Sequence, residues 1–123
     1  MLFTKPKPKT KADHLVIGEN AEEQAHDFLI NAGLKPVARN FSCKQGELDL
    51  IMIDGLSLVI VEVRFRKSDR YGSAAESITS AKQSRIIAAT HHYLSINKTD
   101  CPIRFDVVAI SGDSHINWIK NAF

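Results

Sequence analysis

Two β-rich runs, Gly46-Glu47-Leu48-Asp49-Leu50-Ile51-Met52-Ile53 and Leu56-Ser57-Leu58-Val59-Ile60-Val61-Glu62-Val63-Arg64, flank Asp54-Gly55 and decide how this chain folds. Asp-Gly between two such runs is a strong hairpin signal, because both residues tolerate positive φ. A two-residue loop pairs Ile53 with Leu56, Asp49 with Ile60 and Glu47 with Glu62. A four-residue loop sets Asp49 directly opposite Glu62. In either register, strict alternation puts Glu47, Asp49, Glu62 and Arg64 on one face, shared with Ile51, Ile53, Leu56, Leu58 and Ile60. A solvent-facing strand end with scattered charges is the ordinary reading, but a mostly apolar face requires cover. Carboxylates opposed across strands repel, and burying them is costly without compensation. A divalent cation supplies that compensation. Oxygen-only donors suit Mg²⁺, which keeps several waters and needs only one or two carboxylates.

Upstream, the stretch from about Leu15 to Ala32 has a helical apolar stripe of Ala21, Ala25, Phe28, Leu29 and Ala32, and Gly33 is a stop signal. Glu22 lies at the border of that stripe, whereas Glu19, Glu23 and Asp27 point elsewhere. A strand is expected around Pro36–Phe41. Downstream, Ser68–Ser77 reads as a loop, and Ile78 or Ser80 to about Ile96 as a second helix with Ala81, Ile86, Ala89, Tyr93 and Leu94 available for packing. Ile103–Ile110 is a strand, Ser111–Ser114 a turn, and His115–Ile119 a short final strand carrying Trp118. Residues 1–12 read as a disordered basic tail and 13–123 as a single domain.

A chain of 123 residues suffices for one core. Its sixteen Lys and Arg against fourteen Asp and Glu give a formal charge of +2, but Lys5, Lys7, Lys9 and Lys11 all lie in the tail. The remaining twelve against fourteen leave the body mildly acidic, so any nucleic-acid argument must come from local patches. Arg64, Arg66, Lys67 and Arg70 form such a patch just past the carboxylates, with Tyr71 beside it. A solvated loop is the usual fate of such a run. Here, however, alternation extends the Glu62/Arg64 face to Arg66, so positive charge flanks the carboxylates as a phosphodiester requires.

Cys43 and Cys101 are isolated, with neither zinc nor redox spacing. His91 and His92 diverge on a helix, and His14, His26 and His115 lack zinc-like spacing. Asp106, inside an apolar strand, reads as a structural hydrogen-bond acceptor. No apolar stretch reaches membrane-spanning length and no signal-peptide core is present, so a reduced, cytoplasmic setting is expected.

The ordered set of Glu22, Ala25, Phe28-Leu29, Gly33, Arg39-Asn40, Gly46-Glu47-Leu48-Asp49-Leu50-Ile51, Val61-Glu62-Val63-Arg64 with Arg66, Lys82-Gln83 and Phe105-Asp106-Val107-Val108 resembles a known pattern. It is that of the PD-(D/E)xK restriction-endonuclease-like superfamily, which includes Holliday-junction resolvases, and more narrowly of the bacterial YraN family. The resemblance implies an α/β fold: a restriction-endonuclease-like core with a central mixed sheet flanked by helices, in the order α-β-β-β-α-β-β. It further implies a metal-dependent endonuclease acting on nucleic acid, DNA rather than RNA, with branched DNA as a candidate. By the same resemblance Asp49 and Glu62 are the ligands of Mg²⁺, for which Mn²⁺ can substitute, with Glu22 an outer carboxylate and Gln83 a polar contact to the site. Arg64 stands where the pattern has lysine; it keeps the charge but cannot act as a base. Arg66, Lys67 and Arg70 would hold flanking phosphates. A homodimer would suit an enzyme that cuts two strands. Two rivals remain: a nucleic-acid-binding module of the same fold without turnover, and a protein-interaction adaptor using a sheet edge or the Trp118-Ile119 segment.

Overall fold

A computed structural model describes residues 11–66, 78–113 and 115–123. The basic residues of the tail up to Lys9, the Ser68–Ser77 segment, Lys67, Arg70, Tyr71 and Ser114 lie outside them. The elements run α1 (Lys11–Asn31), β1 (Lys35–Cys43), β2 (Gly46–Asp54), β3 (Ser57–Arg66), α2 (Ser80–Asn97), β4 (Ile103–Ser111) and β5 (Ile116–Ile119). This is the order expected from the sequence. Helix α1 starts ahead of the expected Leu15, since Lys11-Ala12-Asp13-His14 contains no helix breaker. It ends before Ala32, which is exposed rather than part of the stripe.

The five strands lie in the spatial order β1-β2-β3-β4-β5. The first three form an antiparallel meander, β4 adds parallel to β3 after the α2 crossover, and β5 returns antiparallel to β4. The sheet is therefore mixed, and α1 and α2 cover opposite faces. Against α1 pack Leu50, Met52, Val59, Val61, Val108 and Ile110, meeting Ala21, Ala25 and Leu29. Against α2 pack Leu48, Ile51, Leu58, Ile60, Val107 and Ala109, meeting Ile86, Ala89 and Tyr93. Central strands with both faces buried need nearly continuous apolar runs, which is why β3 reads Leu-Val-Ile-Val. Ala81, expected to pack, is exposed. Cys43 and Cys101 are free thiols at the margin of the α2-side core.

The final strand is held by a buried ion pair. Asp106, fully buried on β4, takes two hydrogen bonds from Arg104, Nε to Oδ1 and Nη2 to Oδ2, both 2.9 Å. It also accepts from the Trp118 indole at 2.9 Å and the Asn121 backbone N–H at 3.0 Å. The third guanidinium nitrogen, Nη1, reaches Asp54 Oδ2 at 2.9 Å, tying the hairpin turn to β4. Asp106 is thus the structural acceptor its sequence context indicates. Among the described residues, no helix is long and apolar enough to cross a membrane.

Candidate active site

The hairpin resolves the register. Leu50 pairs with Val61, Ile51 with Ile60, Ile53 with Leu58 and Asp54 with Ser57. This is the register expected of a four-residue loop, reached instead by a two-residue turn, and continuing it by one step sets Asp49 opposite Glu62. The central turn residues are Gly55 and Leu56, one position later than Asp54-Gly55. Gly55 takes φ +63 and Leu56 stays at negative φ, the type II′ arrangement that follows the strand twist. Leu56, expected on the covered face, is 89% exposed at the tip.

Strict alternation fails at the functional end. Leu48 and Ile51 both face α2 although they are three positions apart, and so do Ala38 and Phe41 on β1. Both strands change phase where Asn40, at φ +53, lies between the pairs Arg39↔Leu50 and Phe41↔Leu48. Asp49 sits in that irregularity. Glu47 accordingly does not share the face of Glu62: it is exposed on the α1 side, and its charge acts on Glu22 and Asp49. At the same point β2 leaves β3. The Val63 backbone N–H, which a regular ladder would direct to a carbonyl, donates instead to Asp49 Oδ2 at 2.9 Å. The break in phase re-aims the Asp49 side chain without changing the β1–β2 register, whose one shift among the described pairs lies between Pro36 and Ala38.

Three carboxyls gather in this fork. Glu62 is only 5% exposed and shares a hydrogen bond with Asp49. Burial, then the adjacent Asp49 charge, pushes Glu62 up to about 7. Asp49 is also raised, mainly by burial, with the Val63 N–H, the bond from Glu62 and the charge of Lys82 opposing. Glu22, reaching in from α1, is raised by burial and by Asp49, while a hydrogen bond with Asn40 and the charge of Arg39 act the other way. Two cations face the same Glu62 oxygen: Lys82 Nζ at 3.4 Å from α2 and Arg64 Nη1 at 3.9 Å from β3.

Lys82 is the residue that sequence reasoning missed. It stands in the Lys82-Gln83 pair, and it is Gln83 that was expected to contact the site. The structure brings Lys82, rather than Gln83, within ion-pair distance of Glu62. Gln83 donates its amide to the Ile78 carbonyl at 3.2 Å, so its described bond stays within the helix start. Thr79 caps α2 by accepting from the Lys82 N–H at 3.1 Å, which orients the first turn and its amine toward β3. Gly46 lets α2 approach: a Cβ there would lie 3.1 Å from the Arg85 carbonyl oxygen. Asn40 was quoted in the pattern without a role and proves to hold Glu22. Arg66 ends β3; Lys67 and Arg70 fall outside the described residues.

A second set of possible ligands, Glu23, His26 and Asp27, lies along α1 with ligand atoms within 4.8 Å of one another. Glu23 is engaged by Arg39 at 2.9 Å, and Glu23 and Asp27 are solvent-exposed.

The family profile described as "Uncharacterised protein family UPF0102" matches residues 21–110, which contain all of these site residues. The chain belongs to the UPF0102 family. This is the YraN-like family that the sequence pattern resembles. A UPF0102 protein of Saccharophagus degradans is 51% identical over 114 residues, covering 91% of this chain and 96% of that protein. One from Nitrosomonas europaea is 50% identical over 108 residues, 86% and 92% of the two chains. One from Shewanella loihica is 42% identical over 114 residues, 93% and 99%. Membership in UPF0102 brings no named activity with it, so function must be argued from the fork itself.

Proposed function

We propose that this UPF0102 protein is a metal-dependent endonuclease that hydrolyses phosphodiester bonds in DNA, with branched DNA among its substrates. One observation carries the reading: two opposed carboxyls, Glu62 buried and Asp49 half-buried, share a hydrogen bond at a strand fork, with two cationic side chains beside one Glu62 oxygen. A fold does not retain such repulsion for stability, and perturbed carboxyls of this kind mark functional sites. The donor set fits a hard divalent cation. Asp49 and Glu62 supply oxygen only, and a cation there would replace the shared proton; Glu22 is placed to hold an outer water. A Mg²⁺ ion bound there would polarise a phosphoryl oxygen and acidify a bound water.

The remaining roles belong to the chain. Lys82 supplies from α2 the amine that the Glu-x-Lys pattern supplies from the strand, and Arg64 clamps phosphate beside it. Arg66, Lys67 and Arg70 hold the flanking backbone. Gln83 has no part in this scheme. Of the adaptor reading's two surfaces, the C-terminal segment is partly engaged within the fold: Trp118 is bonded to Asp106 and packed edge-on against Phe28, with ring centroids 6.1 Å apart.

Labelled single-stranded, duplex and four-way-junction DNA incubated with Mg²⁺ or Mn²⁺ provide the test, with Asp49→Ala and Glu62→Ala alongside. The wild type is expected to cut and each variant to lose roughly 10³-fold or more while keeping its circular dichroism spectrum. Variants cutting at the wild-type rate would remove the assignment. Salt-sensitive binding without cutting would leave a non-catalytic binding module.

A further inference from the structure

The carboxylate fork addresses a phosphate; none of its side chains reads a base. On the α1 face of β3 lies a cavity of about 240 Å³, bounded by Asn20 and Gln24 of α1, Phe65 of β3, and Ile110 and Gly112 at the end of β4. Phe65 is 43% exposed and is the one aromatic among the exposed large apolar side chains of the described residues. It is flanked in sequence by Arg64 and Arg66. Glu62 precedes it by three positions, about 10 Å along an extended strand. Pairing of β2 with β3 stops at Leu50↔Val61, so from Glu62 onward that edge of β3 borders the fork rather than another strand. Phe65 lies on the face of β3 opposite Glu62, and among the described residues no strand pairs with the intervening edge, so a DNA strand whose phosphate lies at Asp49 and Glu62 can pass around it to Phe65.

The cavity has the chemistry of a base site. Among the described residues its lining has no ionisable side chain. Two carboxamides offer donors and acceptors, and an exposed ring offers a stacking surface. Its volume is about that of eight waters, enough to admit a nucleobase. We infer that this cavity is a nucleobase subsite: an unpaired base next to the cut phosphate stacks on Phe65 and is hydrogen-bonded by Asn20 and Gln24. The inference rests on the nuclease reading and narrows its substrate to DNA with an unpaired nucleotide beside the scissile bond. A fully stacked duplex keeps its bases out of such a site.

Fluorescence anisotropy with a single-stranded oligonucleotide and its blunt duplex, in Ca²⁺ to hold the complex without relying on turnover, tests the subsite. The wild type is expected to favour the single strand. Phe65→Ala should weaken single-strand binding roughly 5- to 100-fold, leaving duplex binding within about twofold, and Phe65→Trp should restore it. The same oligonucleotide with abasic sugars should bind wild type and Phe65→Ala alike. Equal loss on both DNAs, no loss on either, or a wild-type preference for duplex overturns the subsite. Cleavage in Mg²⁺, scored separately with Asp49→Ala, keeps the two ideas apart. If Asp49→Ala stops cutting while Phe65→Ala changes nothing, the subsite fails and the nuclease stands. If the wild type neither binds nor cuts, both fail.

Discussion

Two groups of buried carboxyls sit in one sheet, and they are treated in opposite ways. Asp106 on β4 is surrounded by donors: a bidentate guanidinium, an indole and a backbone N–H. Asp49 and Glu62 on the neighbouring strands have each other, one backbone N–H, and two cations standing 3.4 and 3.9 Å from Glu62. The first arrangement is complete and joins β4, β5 and the hairpin turn. The second has charge left over, with Asp49 and Glu62 both raised. What separates Asp106 from the carboxyls of the proposed site is whether the surrounding donors satisfy them.

Removing a partner should therefore have opposite consequences at the two places. Arg104→Ala leaves Asp106 buried without its counter-ion and should cost about 3–5 kcal/mol, lowering the melting temperature by on the order of 10 °C or more. Glu62→Gln should instead stabilise the metal-free protein, because it removes a repulsion. Thermal unfolding followed by circular dichroism compares the two directly. Equal destabilisation by both would dissolve the distinction.

A pH series sharpens it. Glu62 keeps its proton up to about pH 7 in the folded protein, against its ordinary value of 4.5. Between these values the folded state binds more protons than the unfolded chain, so stability falls as pH rises through that interval. The full effect is at most about 3 kcal/mol. Glu62→Gln should flatten the decline. Mg²⁺ should raise the melting temperature more at pH 8 than at pH 5.5, since metal displaces the proton. A metal-free wild type that gains stability from pH 5 to pH 8 would contradict the ionisation scheme.

A smaller change is expected at Lys82. Lys82→Met removes the cation that holds Asp49 and Glu62 down, so the pH of half-maximal cleavage should move upward and the rate should fall roughly 10- to 100-fold. Lys82→Arg should recover part of the rate. An unshifted pH profile would make Lys82 a bystander and return the charge role to Arg64 alone.

The helices, the five strands and their order were all legible in local periodicity, and so was the opposition of Asp49 to Glu62 in one of two hairpin registers. The phase break was not. Nothing in Gly-Glu-Leu-Asp-Leu-Ile announces that Leu48 and Ile51 face the same helix, because the phase break at Asp49 goes with the positive φ of Asn40 in the adjoining strand. For that reason Glu47, grouped by alternation with Glu62, lies on the other side. The same limit exchanged Lys82 and Gln83. Neighbours on a helix differ in direction by about a hundred degrees, and which one meets β3 is decided by how α2 lies over β2.

By itself the sequence determined the element order, the apolar face of the hairpin, the carboxyls on its two strands and the structural character of Asp106, since each is written in local residue types and spacing. Only the tertiary structure decided the register, the turn at Gly55-Leu56, the phase break that aims Asp49 at Val63, and the arrival of Lys82 at Glu62. Those features depend on contacts between segments far apart in the chain. Their geometry follows from packing two helices against one twisted sheet, which no local pattern encodes.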